Sequence, residues 1–289
     1  MKLQFTNGYR PHFDQISRIM HYIGAQGERK KIRRQDIVKT LGIPENQVKN
    51  LTSMMVGFGL VKPITGLLTQ LGVSIVRGDQ YFEKIETLWI IHYLVSSDSE
   101  WVVWYRIVNQ VIPTYDKFTV DWTANVFFND LSDQFSERTI SQKLPKEVGA
   151  VYASYTRSEL ANLSLIEEID KGTFKRGEPV SVPPLAFLYS LLLYRDRIAP
   201  GSSAMEVCEI ANGIDSPGRV MQLKDYAVRA ILNELHDRNL IRLELFGNLD
   251  QVSFRGSVTK DAVLELIYGS TASSGDDDSG KRQLELDFY

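Results

Sequence analysis

Asp79, Glu83 and Glu86 lie close together in the chain, and His92 follows shortly after. Carboxylates are the usual oxygen ligands of Mg²⁺ or Mn²⁺. A metal held by two or more of them can generate hydroxide for in-line attack on a phosphodiester. On a helix Glu83 and Glu86 would share a face. Asp79 and Glu83 are therefore candidate metal ligands, and Glu83, Glu86 and His92 candidate catalytic groups. The same residues admit a plainer reading, in which Asp79 caps a helix, the glutamates favour its positive end, and His92 is satisfied within the core.

Other chemistry is thinner. Glu28-Arg29-Lys30, with Asp14 upstream, is a formal match to the acid-x-Lys signature of restriction-type nucleases. Those cores place their acids on strands, whereas these residues fall on or just after a helical stripe, which counts against the match. Asp116, Asp121, Asp130 and Asp133 read as a solvated face. Cys208 is the single cysteine and reads as a core thiol, and its being alone excludes an internal disulfide framework. His12, His21 and His236 are scattered among ordinary polar neighbours, and no pair of ligands has zinc spacing.

A second chemistry is the recognition of a polyanion. Net charge is −3, so the molecule as a whole has no attraction to nucleic acid and any such binding must come from a local patch. "ERKKIRR", residues 28–34, is such a patch: Lys30, Lys31, Arg33 and Arg34 stand in it, and opposite charge collects in "GDDDSG" near the far end. Just beyond the patch, Gln47, Lys49, Asn50 and Ser53 face outward on a helix whose inner stripe is Val48, Leu51, Met55 and Phe58. Amides can bond two groups on adenine, and Lys or Arg can engage guanine or phosphate. These eight residues are the candidate DNA-binding set.

The elements that would position them follow from periodicity. Phe13, Ile16, Ile19, Met20 and Ile23 make a helical stripe that ends at Gly24. Ile37 and Leu41 make a second, and Gly42 supplies a tight turn. Pro44 opens the third at its first position. "LVKPITGLLTQLGVSIV" then suits a hairpin. Three helices and a hairpin are winged-helix order, with the second and third helices as the helix-turn-helix. From Asp79, "FEKIETLWIIHYLVSSDSEWVVWYRIVNQVIP" is apolar on nearly every helical face, as a buried central region would be. After the connector "KRGEPVSVPP", helices and an alternating "IRLELFGNLDQVSF" hairpin around Gly247-Asn248 repeat the first pattern.

The expected fold is therefore mainly α and modular. A winged helix-turn-helix domain (1–78) and a C-terminal winged-helix-like domain (178–268) flank a helical central domain (79–177). A flexible acidic tail (269–289) ends with Leu284, Leu286 and Phe288 alternating as a docking strand would. The chain lacks the run of about 20 apolar residues that a membrane span needs and the apolar core of a signal peptide, so it is expected to be cytoplasmic and nucleoid-associated.

Three stretches, "TLWIIHYLVSSDSEWVVWYRIVN", "SERTISQKLPKEVGAVYASYTRS" and "PPLAFLYSLLLYRDR", resemble the SspB-like family, a bacterial family with a numbered domain of unknown function, part of which serves DNA phosphorothioation and defence. The Leu-Trp-x-x-His-Tyr run is the most specific part. The sequence departs from the family at its opening, reading "YRPHF" where members carry a His-Glu-Thr-Phe run. The resemblance implies duplex DNA binding and nicking of one strand with a divalent metal, Mg²⁺ or Mn²⁺, opening the backbone for sulfur insertion. Its implied partners are sulfur-transfer and ATPase components. Two other expectations stand beside it: a non-catalytic DNA-binding adaptor, and a protein-interaction scaffold that never touches nucleic acid.

Overall fold

The computed structural model describes residues 1–27, 31–244 and 250–269. The acid-x-Lys match with Lys30, the Gly247-Asn248 turn and the tail with its alternating leucines lie outside the described residues. The chain is mainly helical, with two small antiparallel sheets. Among the described residues no helix is long and apolar enough to cross a membrane.

The first region follows the sequence stripes closely. α1 (Phe13–Gly24) buries Phe13, Ile16, Ile19, Met20 and Ile23. α2 (Arg34–Leu41) buries Ile37 and stops at Gly42, which is left-handed at φ +67°. α3 (Glu45–Gly57) buries Val48, Leu51, Met54 and Met55. Pro44 stands one place earlier than expected, as the cap before α3, where its fixed φ leads the chain in. The expected hairpin shrinks to one antiparallel bridge, Val61 with Leu68, around a turn closed by Gly66 N–H to the Lys62 carbonyl at 2.9 Å. The remainder, read as a strand, is α4 (Gln70–Gly78). Two things decide this. The Thr69 hydroxyl caps the helix by accepting from Gly72 N–H at 3.0 Å, and Leu71 and Ile75, one turn apart, turn to the core. Gly72 also lets α4 pass against the Leu60 carbonyl, which a Cβ would meet at 2.2 Å.

The centre holds more than helices. α5 (Ile85–Ser96) is buried on almost all sides, and α6 (Val102–Arg106) runs through a π turn (Ile107–Val111) into α7 (Ile112–Thr114). Then come β1 (Lys117–Thr119), α8 (Val120–Leu131) and α9 (Glu137–Arg157), with Ser136 capping the last by accepting from Thr139 N–H. A 3-10 turn (Glu159–Leu163) leads to β2 (Ile166–Asp170) and β3 (Thr173–Arg176). The sheet order is β1-β3-β2, antiparallel, with Phe118 opposite Phe174. The expectation of a helical central domain therefore needs correcting. "IEEIDKGTFKR" is a hairpin whose charged, outward residues hid its two-residue period, while Gly172 at φ +78° makes its turn.

α10 (Pro184–Ile198), a second helix buried on most sides, opens the third region. β4 (Ala204–Glu206), α11 (Val207–Asn212), α12 (Pro217–Val220), α13 (Asp225–Asp237), β5 (Ile241–Glu244) and β6 (Gln251–Phe254) follow, with sheet order β4-β6-β5. The central and third regions thus share one chain order: strand, helices, hairpin, with the last strand in the middle of its sheet. α14 (Lys260–Tyr268) then returns to α4 of the first region, where Arg77 pairs with Glu265 at 3.4 Å, and to the start of α5. The Tyr268 hydroxyl lies 2.8 Å from that of Thr87, and Lys84 Nζ donates to the Ile267 carbonyl at 2.8 Å. One apolar cluster extends from Leu3 to Tyr268, so the three regions share a core. Cys208, expected inside, is exposed on α11.

Candidate nucleic-acid interface

Ile32 and Ile37 point into the core, which forces Lys31, Arg33 and Arg34 outward. The Ile32 N–H donates to the Thr65 carbonyl at 2.8 Å, tying the cationic segment alongside the turn that carries Lys62. Together with Glu45, Thr52 and Val56 of α3, these pieces line a cleft of about 480 Å³. Arg33 and Arg34 occupy the cap and first position of α2, which has no side-chain cap. Cations there oppose the helix dipole at a cost of about 0.3–1 kcal/mol each, so positive potential is concentrated where folding alone would disfavour it. Among the described residues none of Lys31, Arg33, Arg34 or Lys62 has an ion-pair partner.

A second cleft, of about 590 Å³, lies on another flank of α3. Gln47, Lys49 and Asn50 line it together with Asn46, and Asn7, Tyr9, Arg10 and His12 form its far wall. Asn7 Nδ2 donates to Asn50 Oδ1 across it at 3.0 Å. The structure therefore divides the expected DNA-binding set between two clefts. Lys31, Arg33 and Arg34 fall on one side, Gln47, Lys49 and Asn50 on the other, and half-buried Ser53 lines neither.

The far wall is held by a residue that sequence reasoning missed. Thr6-Asn7-Gly8-Tyr9 is a tight turn with positive φ at Asn7 (53°) and Gly8 (81°), the geometry that Asn-Gly favours. Glu147 of α9, only 1% exposed, clamps it. Its carboxylate accepts from the N–H groups of Phe5, Thr6 and Gly8 and from the Thr6 hydroxyl, at 2.9–3.2 Å. Burial pushes this carboxyl above its ordinary range, and the converging donors oppose that shift. The available signal was an acid on the inward stripe of Leu144, Val148 and Val151. Glu147→Gln keeps one acceptor but turns an NH₂ toward backbone N–H groups. It is expected to cost about 1–3 kcal/mol and to speed amide exchange at Thr6 and Gly8, read by hydrogen exchange with urea titration alongside.

The model for the family described as "Protein of unknown function (DUF4007)" matches residues 18–268. The chain belongs to this family. Two crystal structures of SspB resemble the DUF4007 chain in fold. One is magnesium ion-bound (17% identity, TM-score 0.73) and the other carries no such description (16%, 0.72); each comparison covers 92% of this chain and 87% of the other. No curated protein matches the sequence.

In this DUF4007 member the acidic set does not converge. Asp79 ends α4, and its carboxylate accepts from the N–H groups of Glu83 (2.8 Å) and Lys84 (3.2 Å), binding the turn that starts α5. Its burial raises its pKa, against the lowering effect of hydrogen bonds led by Thr87. Glu83 precedes α5 and is exposed, so it does not share a helical face with half-buried Glu86. His92 is fully buried. Its Nδ1 lies 2.6 Å from the Tyr155 hydroxyl and its Nε2 3.0 Å from the Val220 carbonyl. Trp104 Nε1–H donates to that same hydroxyl at 2.9 Å. The tautomer follows: Tyr155 O–H donates to Nδ1, and Nε2–H donates to Val220. His92 thus ties together α5, α6, α9 and α12, with no path to substrate.

Among the described residues no three His, Cys, Asp or Glu side chains form a metal-ligand group. Asp79, Glu83, Glu86 and His92 do not fit a metal centre. Asp116, Asp121, Asp130 and Asp133 are exposed, Asp130 pairing with Arg106 at 2.7 Å. His21 bonds the Ser17 carbonyl, and His236 accepts from Leu243 N–H.

Proposed function

We propose that the chain is the duplex-binding component of a DNA phosphorothioate modification system, acting in the cytoplasm at the nucleoid with sulfur-transfer and ATPase partners. In this reading α2 and α3 are a helix-turn-helix and the turn at 62–66 is its short wing. The central and C-terminal units, each a strand, helices and a hairpin, are two further winged-helix modules. One observation carries it. A chain of net charge −3 places Lys31, Arg33, Arg34 and Lys62 around one cleft beside α3, without ion-pair partners among the described residues. A pure scaffold has no need to gather four cations around a helix start that disfavours them.

A second reading adds catalysis, the nicking of one strand with Mg²⁺ or Mn²⁺. The magnesium ion in the SspB neighbour favours it; without it the chain is an adaptor that brings the sulfur-transfer machinery to DNA. The test is relaxation of supercoiled plasmid by the pure protein. Open circles are expected with either metal and none with a chelator, whereas plasmid that stays supercoiled with both metals leaves the adaptor. Because the acids near α5 do not converge, Glu83→Gln and Glu86→Gln are expected to nick at the wild-type rate. A hundredfold loss in either would put the centre back at the mouth of α5.

A further inference from the structure

The cleft of about 590 Å³ between the Asn7–Gly8 turn and α3 has a lining of a different kind from the cationic cleft. It contains no carboxylate among the described residues. Four carboxamides, Asn7, Asn46, Gln47 and Asn50, open into it, and the buried Leu51 and Met54 lie beneath them as its floor. Tyr9 stands in its wall with 61% of its surface exposed, and Arg10 and Lys49 bring positive charge. Carboxamides recognise flat groups that carry paired donors and acceptors, exposed aromatic rings stack on them, and cations hold an attached phosphate. The volume lies within the roughly 300–1,000 Å³ typical of small-ligand sites.

We propose that this cleft takes a single nucleobase with its phosphate, extruded from DNA held by the neighbouring cationic cleft. This deepens the proposed function and rests on it for the source of the base. The Asn7–Asn50 bond leaves groups that can meet a base edge. It uses one donor and one acceptor, and whichever way the two amides are turned, an acceptor on one and a donor on the other have no partner among the described residues. An adjacent acceptor and donor complement any base edge that sets a donor beside an acceptor: the amino group and ring nitrogen of adenine or cytosine, or the ring N–H and carbonyl of thymine or guanine. The wall is set before any base arrives, because Glu147 fixes the turn that presents Asn7 and Tyr9, and Arg10 donates through Nη1 to the Arg157 carbonyl at the end of α9. A fixed platform saves the ordering entropy that a mobile loop would lose on binding.

The test measures affinity by fluorescence anisotropy for three duplexes: fully paired, with one unpaired adenine, and with one unpaired thymine. Deoxyadenosine monophosphate alone is a fourth probe. Both bulged duplexes are expected to bind about tenfold tighter than the paired one, the value of roughly one stacked base. Tyr9→Ala should erase that ratio and Tyr9→Phe keep it, with affinity for paired duplex unchanged in both. Equal affinity of the wild type for all three duplexes overturns extrusion. If the monophosphate then binds the wild type and not Tyr9→Ala, the cleft serves a free nucleotide instead. A chain that binds no duplex at all fails the DNA reading, and the monophosphate arm decides the cleft by itself.

Discussion

Alanine at position 92 is expected to lower folding stability by about 3–5 kcal/mol. The imidazole is wholly buried and both of its nitrogens are engaged. Its loss leaves a cavity, strips the Val220 carbonyl of its donor and leaves the Tyr155 hydroxyl only the long 3.5 Å contact to Ser96 Oγ. Four helices meet at this point, so the loss is not confined to one element. Urea unfolding of wild type and His92→Ala at neutral pH measures it, and a difference under about 1 kcal/mol would mean that the network is not closed as described.

The same residue makes stability depend on pH. Burial lowers the His92 pKa to about 4, opposed by its bond to the Val220 carbonyl, whereas an unfolded histidine titrates near 6.5. Between those values the unfolded chain binds the proton and the folded chain does not. This contribution is fully present above pH 6.5 and is lost as the pH falls toward 4, amounting to roughly 3 kcal/mol over the window. His92→Gln, which keeps a donor and an acceptor but does not titrate, is expected to flatten the curve over that interval. Subtracting the two curves removes the carboxylates that titrate in both proteins.

Replacing Lys31, Arg33, Arg34 and Lys62 together by alanine should weaken duplex binding at least about a hundredfold at moderate salt, with no dependence on DNA sequence. Each phosphate that is no longer neutralised makes the slope of log affinity against log salt shallower by about 0.9, so a change of about 3–4 is expected if all four cations reach the backbone. All four are exposed and lack ion-pair partners among the described residues, so the fold should be untouched or slightly firmer at the start of α2. Asn50→Ala, by contrast, should shift base preference. A fourfold variant that binds like the wild type, with the wild-type salt slope, would remove the N-terminal region from the DNA interface.

The periodic stripes of α1, α2 and α3 were legible because each helix buries one face and leaves the rest to solvent, so its pattern belongs to itself. The cationic segment was legible for a related reason: Ile32 and Ile37 are apolar anchors between charges, and alternation alone puts the charges outside. α4 was misread because its glycines and β-branched residues suit a strand by propensity, while a threonine cap and two residues turned to the core decided for helix. β2 and β3 were hidden because their outward face is charged, with Lys175 pairing with Glu167 at 2.7 Å, and their inward face meets α9, a partner far away in the chain. The Asp79, Glu83, Glu86 and His92 set looked like chemistry on spacing alone, and burial made Asp79 a turn-builder and His92 a core node.

By itself, then, the sequence determined where local amphipathic helices form, which charges are left outside and the family the chain joins, since these depend on residues within a turn or two of one another. Only tertiary structure decided which flank of α3 each polar residue faces, that Glu147 clamps the Asn-Gly turn across 139–142 positions of chain, and that the histidine is sealed. Those outcomes depend on which distant backbone groups arrive beside a side chain and on whether water can follow, and neither is written in the order of neighbouring residues.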